Sequence, residues 1–309
     1  MIGWILASAG GLLLLFALLA PLESLRWWST RGVAEMRRTY ALLERHPAPG
    51  PSGEQPARYV LYLSGVGMVD GCTLSARERS FCDDLAAALP GVPVIAEVFP
   101  YAVDNRGLLQ RATAWLWGRL ARLRKARRES LTPKLIHLRN TLQVMVSADP
   151  RYGPTLSAGL AQEIWRALLR HGYTPGCGVP VTLIGFSGGA QMAIGSASML
   201  TLLGVEVSVI SIGGVFGDDP GLDHVTHLWD IRGSRDRLRK VGPIAFPGRW
   251  PFARGSTWHH AVEDGRVTVL DGGPVVHDGR GSYFEGREPG PDGVLPADRL
   301  LALVTGILG

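Results

Sequence analysis

Cysteine is scarce in this chain, with only Cys72, Cys82 and Cys177 among 309 residues and no C-x-x-C pair. That excludes a disulfide framework and leaves no zinc-ligand spacing. Charge is sparse as well, at 19% of residues against 46% hydrophobic, which excludes a disordered chain. No G-x-x-x-x-G-K-[ST] loop is present to bind nucleotide phosphates, and there is no internal repeat. The formal net charge of +5 is unevenly spread: nine Lys or Arg and one Glu fall between Arg111 and Asn140, so the rest of the chain is net negative. A nucleic-acid footprint would need a broader basic surface and an accompanying motif, so nucleic acid is not an expected partner.

Positive residues are also missing ahead of the first apolar run, Ile2 to Leu22, which itself carries no charged side chain. A secretory signal peptide would want Lys or Arg there, so the run is expected to be an uncleaved anchor. As a helix it would span about 31 Å, close to the hydrocarbon thickness of a bilayer. Trp27 and Trp28 sit where an interfacial belt would be, and Arg26, Arg31, Arg37 and Arg38 follow the run. By the positive-inside rule the globular part then lies in the cytoplasm. The expected organisation is a single-pass transmembrane helix with its interfacial flank over residues 1–30, a juxtamembrane segment and Pro/Gly/Ser linker over 31–56, and one large domain over 57–309.

Within that domain, short apolar runs alternate with segments of helical period. Strands are expected at Tyr59–Leu63, Val92–Val98, Val181–Ile184, Val205–Ile212, Val225–Ile231 and Val267–Leu270, and helices at Ser75–Leu89, Thr155–His171, Ala190–Leu202 and Pro296–Leu308. This alternation predicts an α/β fold, a doubly wound and mostly parallel sheet. Residues 108–150 interrupt it with a basic, cap-like helical insertion. A lid over a site, a surface facing anionic headgroups and a plain solvated face are all open readings of that insertion.

The segment that organises the chain is Gly185-Phe186-Ser187-Gly188-Gly189, placed between a strand and a helix. A serine at a sharp strand-to-helix turn needs small neighbours, and the helix start then aims backbone N–H groups at any oxyanion formed there. A glycine-bearing loop, Ser64-Gly65-Val66-Gly67, leaves the first strand and offers a second donor. A serine hydroxyl also needs a base, and the base an acid to orient it. Asp236 follows the Val225–Ile231 strand and His277 follows the last strand, whereas the rivals Asp230, His259 and His260 lie within a strand or before the last one. Phe186, Phe246 and Trp250 are candidate substrate contacts, the latter two in a Pro-rich loop with Pro251 and Phe252.

With these motifs in place, the chain from about Tyr59 onward resembles an α/β-hydrolase of the serine esterase and lipase type. The resemblance implies an acyl-enzyme mechanism with neither metal nor organic cofactor. Ser187 would attack the carbonyl, His277 would shuttle the proton and Asp236 would orient the imidazole. The N–H of Gly188 and one near Gly65 or Val66 would hold the oxyanion. The expected substrate is a small-molecule or lipid-like ester at the membrane face. Acyl transfer would use the same residues, and a catalytically silent, membrane-tethered binding module would use none of them. The Ser64-Gly65 loop departs from the His-Gly start common in the family, and the basic insertion has no counterpart in a minimal member.

Overall fold

The computed structural model describes residues 55–68, 74–101, 131–149 and 153–309, with Gly11 as an isolated position. Among them the apolar runs become strands β1 (Tyr59–Leu63), β2 (Val94–Ile95), β3 (Val181–Phe186), β4 (Val207–Ile212), β5 (Val225–Arg232) and β6 (Val267–Asp271). Every pairing is parallel, in the order β2-β1-β3-β4-β5-β6. The helices are α1 (Ala76–Ala88), α2 (Leu131–Ser147), α3 (Gly153–Arg170), α4 (Gly188–Leu202), α5 (Val241–Ala245), α6 (Thr257–Glu263) and α7 (Pro296–Leu308).

Successive side chains along a strand point to opposite faces, so each strand feeds two helical layers. Leu61, Leu63, Leu183 and Val209 meet Ile164 and Leu168 of α3 and Ala193 and Leu200 of α4. Val60, Tyr62, Ile184 and Ile210 meet Phe81 and Leu85 of α1 and Leu300 and Val304 of α7. Burial on both faces is why β1 and β3 are nearly continuous apolar runs. Local chemistry sets the helix ends. Ser75 and Glu78 form a reciprocal capping box at α1, and Pro296 opens α7, where a missing N–H is no loss.

One expected strand shrinks. Val92–Val98 pairs only over Val94–Ile95, and just beyond it Glu97 pairs with Arg170 of α3 at 2.8 Å. The second expected helix of the basic insertion is α2. The first, together with the anchor and the linker through Glu54, lies outside the described residues. No helix among the described residues is long and apolar enough to cross a membrane, and apart from Gly11 the run Ile2 to Leu22 is not among them.

The strand order positions a site. β2 lies on one side of β1 and β3 on the other, and α1 and α4 depart to opposite faces. The carboxyl ends of β1 and β3 therefore border a crevice, the place where open parallel sheets bind ligands.

Candidate active site

Ser187 stands directly after β3, at the crevice, with φ +53° and ψ −122°. Among the described residues it alone combines a side chain with positive φ, a conformation glycine favours and that costs other residues about 1–3 kcal/mol. Backbone bonds hold it there: Ser187 N–H donates to Ile212 (3.0 Å), while its carbonyl accepts from Ala190 (3.2 Å) and Val215 (3.1 Å). The flanking glycines permit the tight turn. A Cβ on Gly185 would lie 2.5 Å from the Ala190 backbone, and one on Gly189 would lie 2.3 Å from the Leu63 carbonyl oxygen.

The structure brings Ser187, His277 and Asp236 into one hydrogen-bonded chain. Ser187 Oγ is 2.8 Å from His277 Nε2, and His277 Nδ1 is 2.9 Å from Asp236 Oδ2. With Nδ1 donating to the carboxylate, Nε2 is left to accept the serine proton. Tyr283 Oη also donates to Asp236 Oδ2 (2.9 Å) while accepting Gly233 N–H (2.7 Å), and Leu238 N–H donates to Asp236 Oδ1 (2.8 Å). Burial pushes the Asp236 carboxyl up, but the hydrogen bond and charge of His277, the Tyr283 hydroxyl and the Leu238 N–H outweigh it and hold the group below its ordinary value. Gly213 makes room for this cluster, since a Cβ there would sit 2.8 Å from Asp236 Oδ2. Phe186 stacks on the His277 ring, with centroids 5.2 Å apart and planes inclined by 22°, and so limits the ring's tilt.

The loop after β1 faces Ser187. A Cβ on Gly65 would approach Phe186 Cδ1 at 3.0 Å and Ser187 Cβ at 3.3 Å, while one on Gly188 would approach Val66 Cγ1 at 3.1 Å. The first N–H groups of a helix lack intrahelical partners, and Gly188 at the start of α4 and the Gly65-Val66 turn both lie close against Ser187. From behind, α2 fixes that turn: Asn140 Nδ2 donates to the carbonyls of Val66 and Met68, each at 2.8 Å. Tyr101 Oη donates to the Ser64 carbonyl at 2.7 Å. A cavity of about 450 Å³ opens here. Its floor is Ser187, Gly65 and Val66, and its apolar walls include Phe186, Phe284, Met68 and Leu238.

Phe246 and Trp250 do not reach this cavity, which corrects their expected role as substrate contacts. Phe246 is buried against Gly217 behind the 242–252 segment, and Trp250 Nε1 donates to Ile244 O. An apolar, Pro-rich loop is equally consistent with a wall or a packed turn, and here Phe246 packs inward while Phe252 stays exposed. The rivals are engaged elsewhere. Asp230 accepts from Ser211 Oγ (2.8 Å) and pairs with Arg232 (2.7 Å), while His259 Nε2 contacts Trp250 O (2.8 Å) on α6. Sequence reasoning missed Tyr283, which donates to Asp236 beside His277. It also missed Glu78, which lines the cavity and accepts from Tyr62 Oη (2.9 Å) and Ser64 Oγ (2.5 Å). The S-x-x-E signature at Ser75–Glu78 was the available signal for Glu78. Nothing local marks Tyr283.

Comparison with known proteins finds no matching family model and no matching curated protein. Among solved structures, a dienelactone hydrolase-like promiscuous phosphotriesterase from metagenomic libraries is similar at 12% identity, covering 83% of this chain and 86% of its own, with a TM-score of 0.46. The dienelactone hydrolase of Anabaena variabilis is similar at 17% identity, covering 83% and 87%, with a TM-score of 0.36.

Proposed function

We propose that this chain is a serine hydrolase of the α/β-hydrolase type that cleaves a carboxylic ester, lipid-like in its apolar part, while tethered to a membrane through residues 2–22. The observation that carries the reading is the hydrogen-bonded sequence Ser187, His277, Asp236 at the carboxyl ends of three parallel strands. In the proposed cycle, Ser187 Oγ attacks the ester carbonyl as its proton passes to His277 Nε2. The N–H groups of Gly188 and of the Gly65-Val66 turn stabilise the oxyanion. His277 then gives the proton to the departing alcohol, and it next activates water to release the acyl group. Asp236 stays ionised and keeps Nδ1 protonated. The apolar walls suit an acyl or alkyl chain, and no step calls for a metal or organic cofactor.

A tethered binding module would need the strands and glycine turns but supplies no reason for an imidazole within 2.8 Å of a serine held in a strained bend. The deciding measurement is covalent labelling with a fluorophosphonate. Labelling of the native chain and none of Ser187→Ala is expected, and an unlabelled native protein would remove the reading.

A further inference from the structure

The segment that leaves the site, residues 235–254, turns its apolar side chains outward. Ile244 is 69% and Phe252 76% exposed, the two highest values among the large hydrophobic side chains described, and Leu238 and Val241 are exposed beside them. Trp250 stacks edge-on against Phe252 with centroids 5.4 Å apart. Between them stand Arg235, Arg237, Lys240 and Arg254, all exposed, and the half-buried Arg239. None of these five cations makes an ion pair among the described residues. The one acid in the segment, Asp236, is buried and held by His277 and Tyr283. The platform beneath is fixed. Arg249 lies between the rings of Phe216 (4.3 Å) and Trp258 (3.9 Å), and Phe246 is buried.

We propose that residues 235–254 form a docking surface for an anionic phospholipid bilayer. Unpaired cations suit lipid phosphates, and apolar tips next to them suit the acyl region just below, the pairing typical of interfacial protein surfaces. Nucleic acid would satisfy the cations but gives Ile244 and Phe252 no apolar medium. Leu238 links this surface to the site, since it is exposed, lines the cavity and places its N–H on Asp236. A docked domain thus opens its cavity beside the bilayer, where an ester dissolved in the membrane reaches Ser187 without crossing water. That last link rests on the hydrolase reading, whereas the surface itself does not.

The test uses the full chain in lipid nanodiscs of phosphatidylcholine alone or with roughly one-third phosphatidylglycerol, so that residues 2–22 are common to both. Hydrogen exchange over 238–254 is expected to slow on the anionic discs. Lys240→Glu with Arg254→Glu should abolish that slowing. Ile244→Asp with Phe252→Asp should lower turnover of a disc-borne ester about tenfold and leave a water-soluble short-chain ester unchanged, which also shows that the variant folds. Equal exchange on both discs overturns the proposal. So does protection that appears without lipid, whether with rising protein concentration or with added RNA. If the native chain turns over neither ester, the hydrolase reading fails, and the exchange result still decides the docking surface.

Discussion

Of the three aspartates buried among the described residues, Asp219 and Asp236 have carboxyls that shift in opposite directions. Asp236 is held below its ordinary value, whereas Asp219 is pushed up to about 6, burial first among the causes and Asp218 adding to it. Asp219 lies under α4 with neutral donors only, Gln191 Nε2 at 2.7 Å and Gly221 N–H at 2.8 Å. Asp236 lies beside a cavity and faces an imidazole able to carry a positive charge. Hydrogen bonds are present in both places. What separates them is the hydrogen bond and charge of His277 at Asp236, against the neighbouring acid Asp218 at Asp219.

Substitution should break the comparison most sharply at Asp236. Asp236→Asn is expected to lower kcat on a soluble ester by about 10³–10⁴-fold, as loss of the orienting acid does in serine triads. Asp219→Asn should change kcat by no more than about threefold, as expected away from the reacting atoms. Comparable losses at both positions would mean that the carboxylates are equivalent and that the relay has no special role.

Tyr283→Phe sharpens the contrast from the other side. It removes one donor from Asp236 and strands the Gly233 N–H, so a stability loss of about 1–3 kcal/mol is expected. kcat should drop about tenfold with little change in KM, the pattern of a hydrogen bond to a charged group lost mainly in the transition state. Asp236, with its folded pKa depressed, contributes stability above the unfolded carboxylate range and loses it as pH falls through the folded value. Without the Tyr283 hydroxyl the folded value moves up toward the unfolded one, so that loss should be smaller and be complete at a higher pH. Thermal melts from neutral pH downward read this directly.

On turnover the smallest effect belongs to Asp219, whose signature is instead in stability. Between the usual 3.8 and about 6, the folded form keeps a proton that the unfolded chain has released, so stability falls as pH rises through that window. Once ionised, the group should cost about 3 kcal/mol, and Asp219→Asn should flatten this part of the stability curve. A variant that keeps the native pH dependence would assign the titration to another group.

Much of the fold was legible because the central strands β1, β3 and β4 are buried on both faces. β1 and α7 have the ends that the apolar pattern gave, and β3 and α4 meet at the serine turn as the Gly185–Gly189 spacing required. The edge was harder. Pairing at β2 covers only Val94–Ile95, and where an edge strand leaves its neighbour is a tertiary matter that strand propensity does not encode. In the site, Ser187, Asp236 and His277 could be placed because parallel strands deliver their following loops to one edge. Tyr283 could not, since its hydroxyl matters only through two groups 47 and 50 positions away. Phe246 and Trp250 were misplaced for a related reason: composition shows that a loop is apolar but not which way it faces.

The bend at Ser187 sets durability against reactivity. Glycine would occupy φ +53° without crowding, so Ser187→Gly should gain on the order of 1 kcal/mol in folding even after its greater freedom when unfolded is counted. That hydroxymethyl group therefore costs the fold stability at the one bend where it stands 2.8 Å from an imidazole.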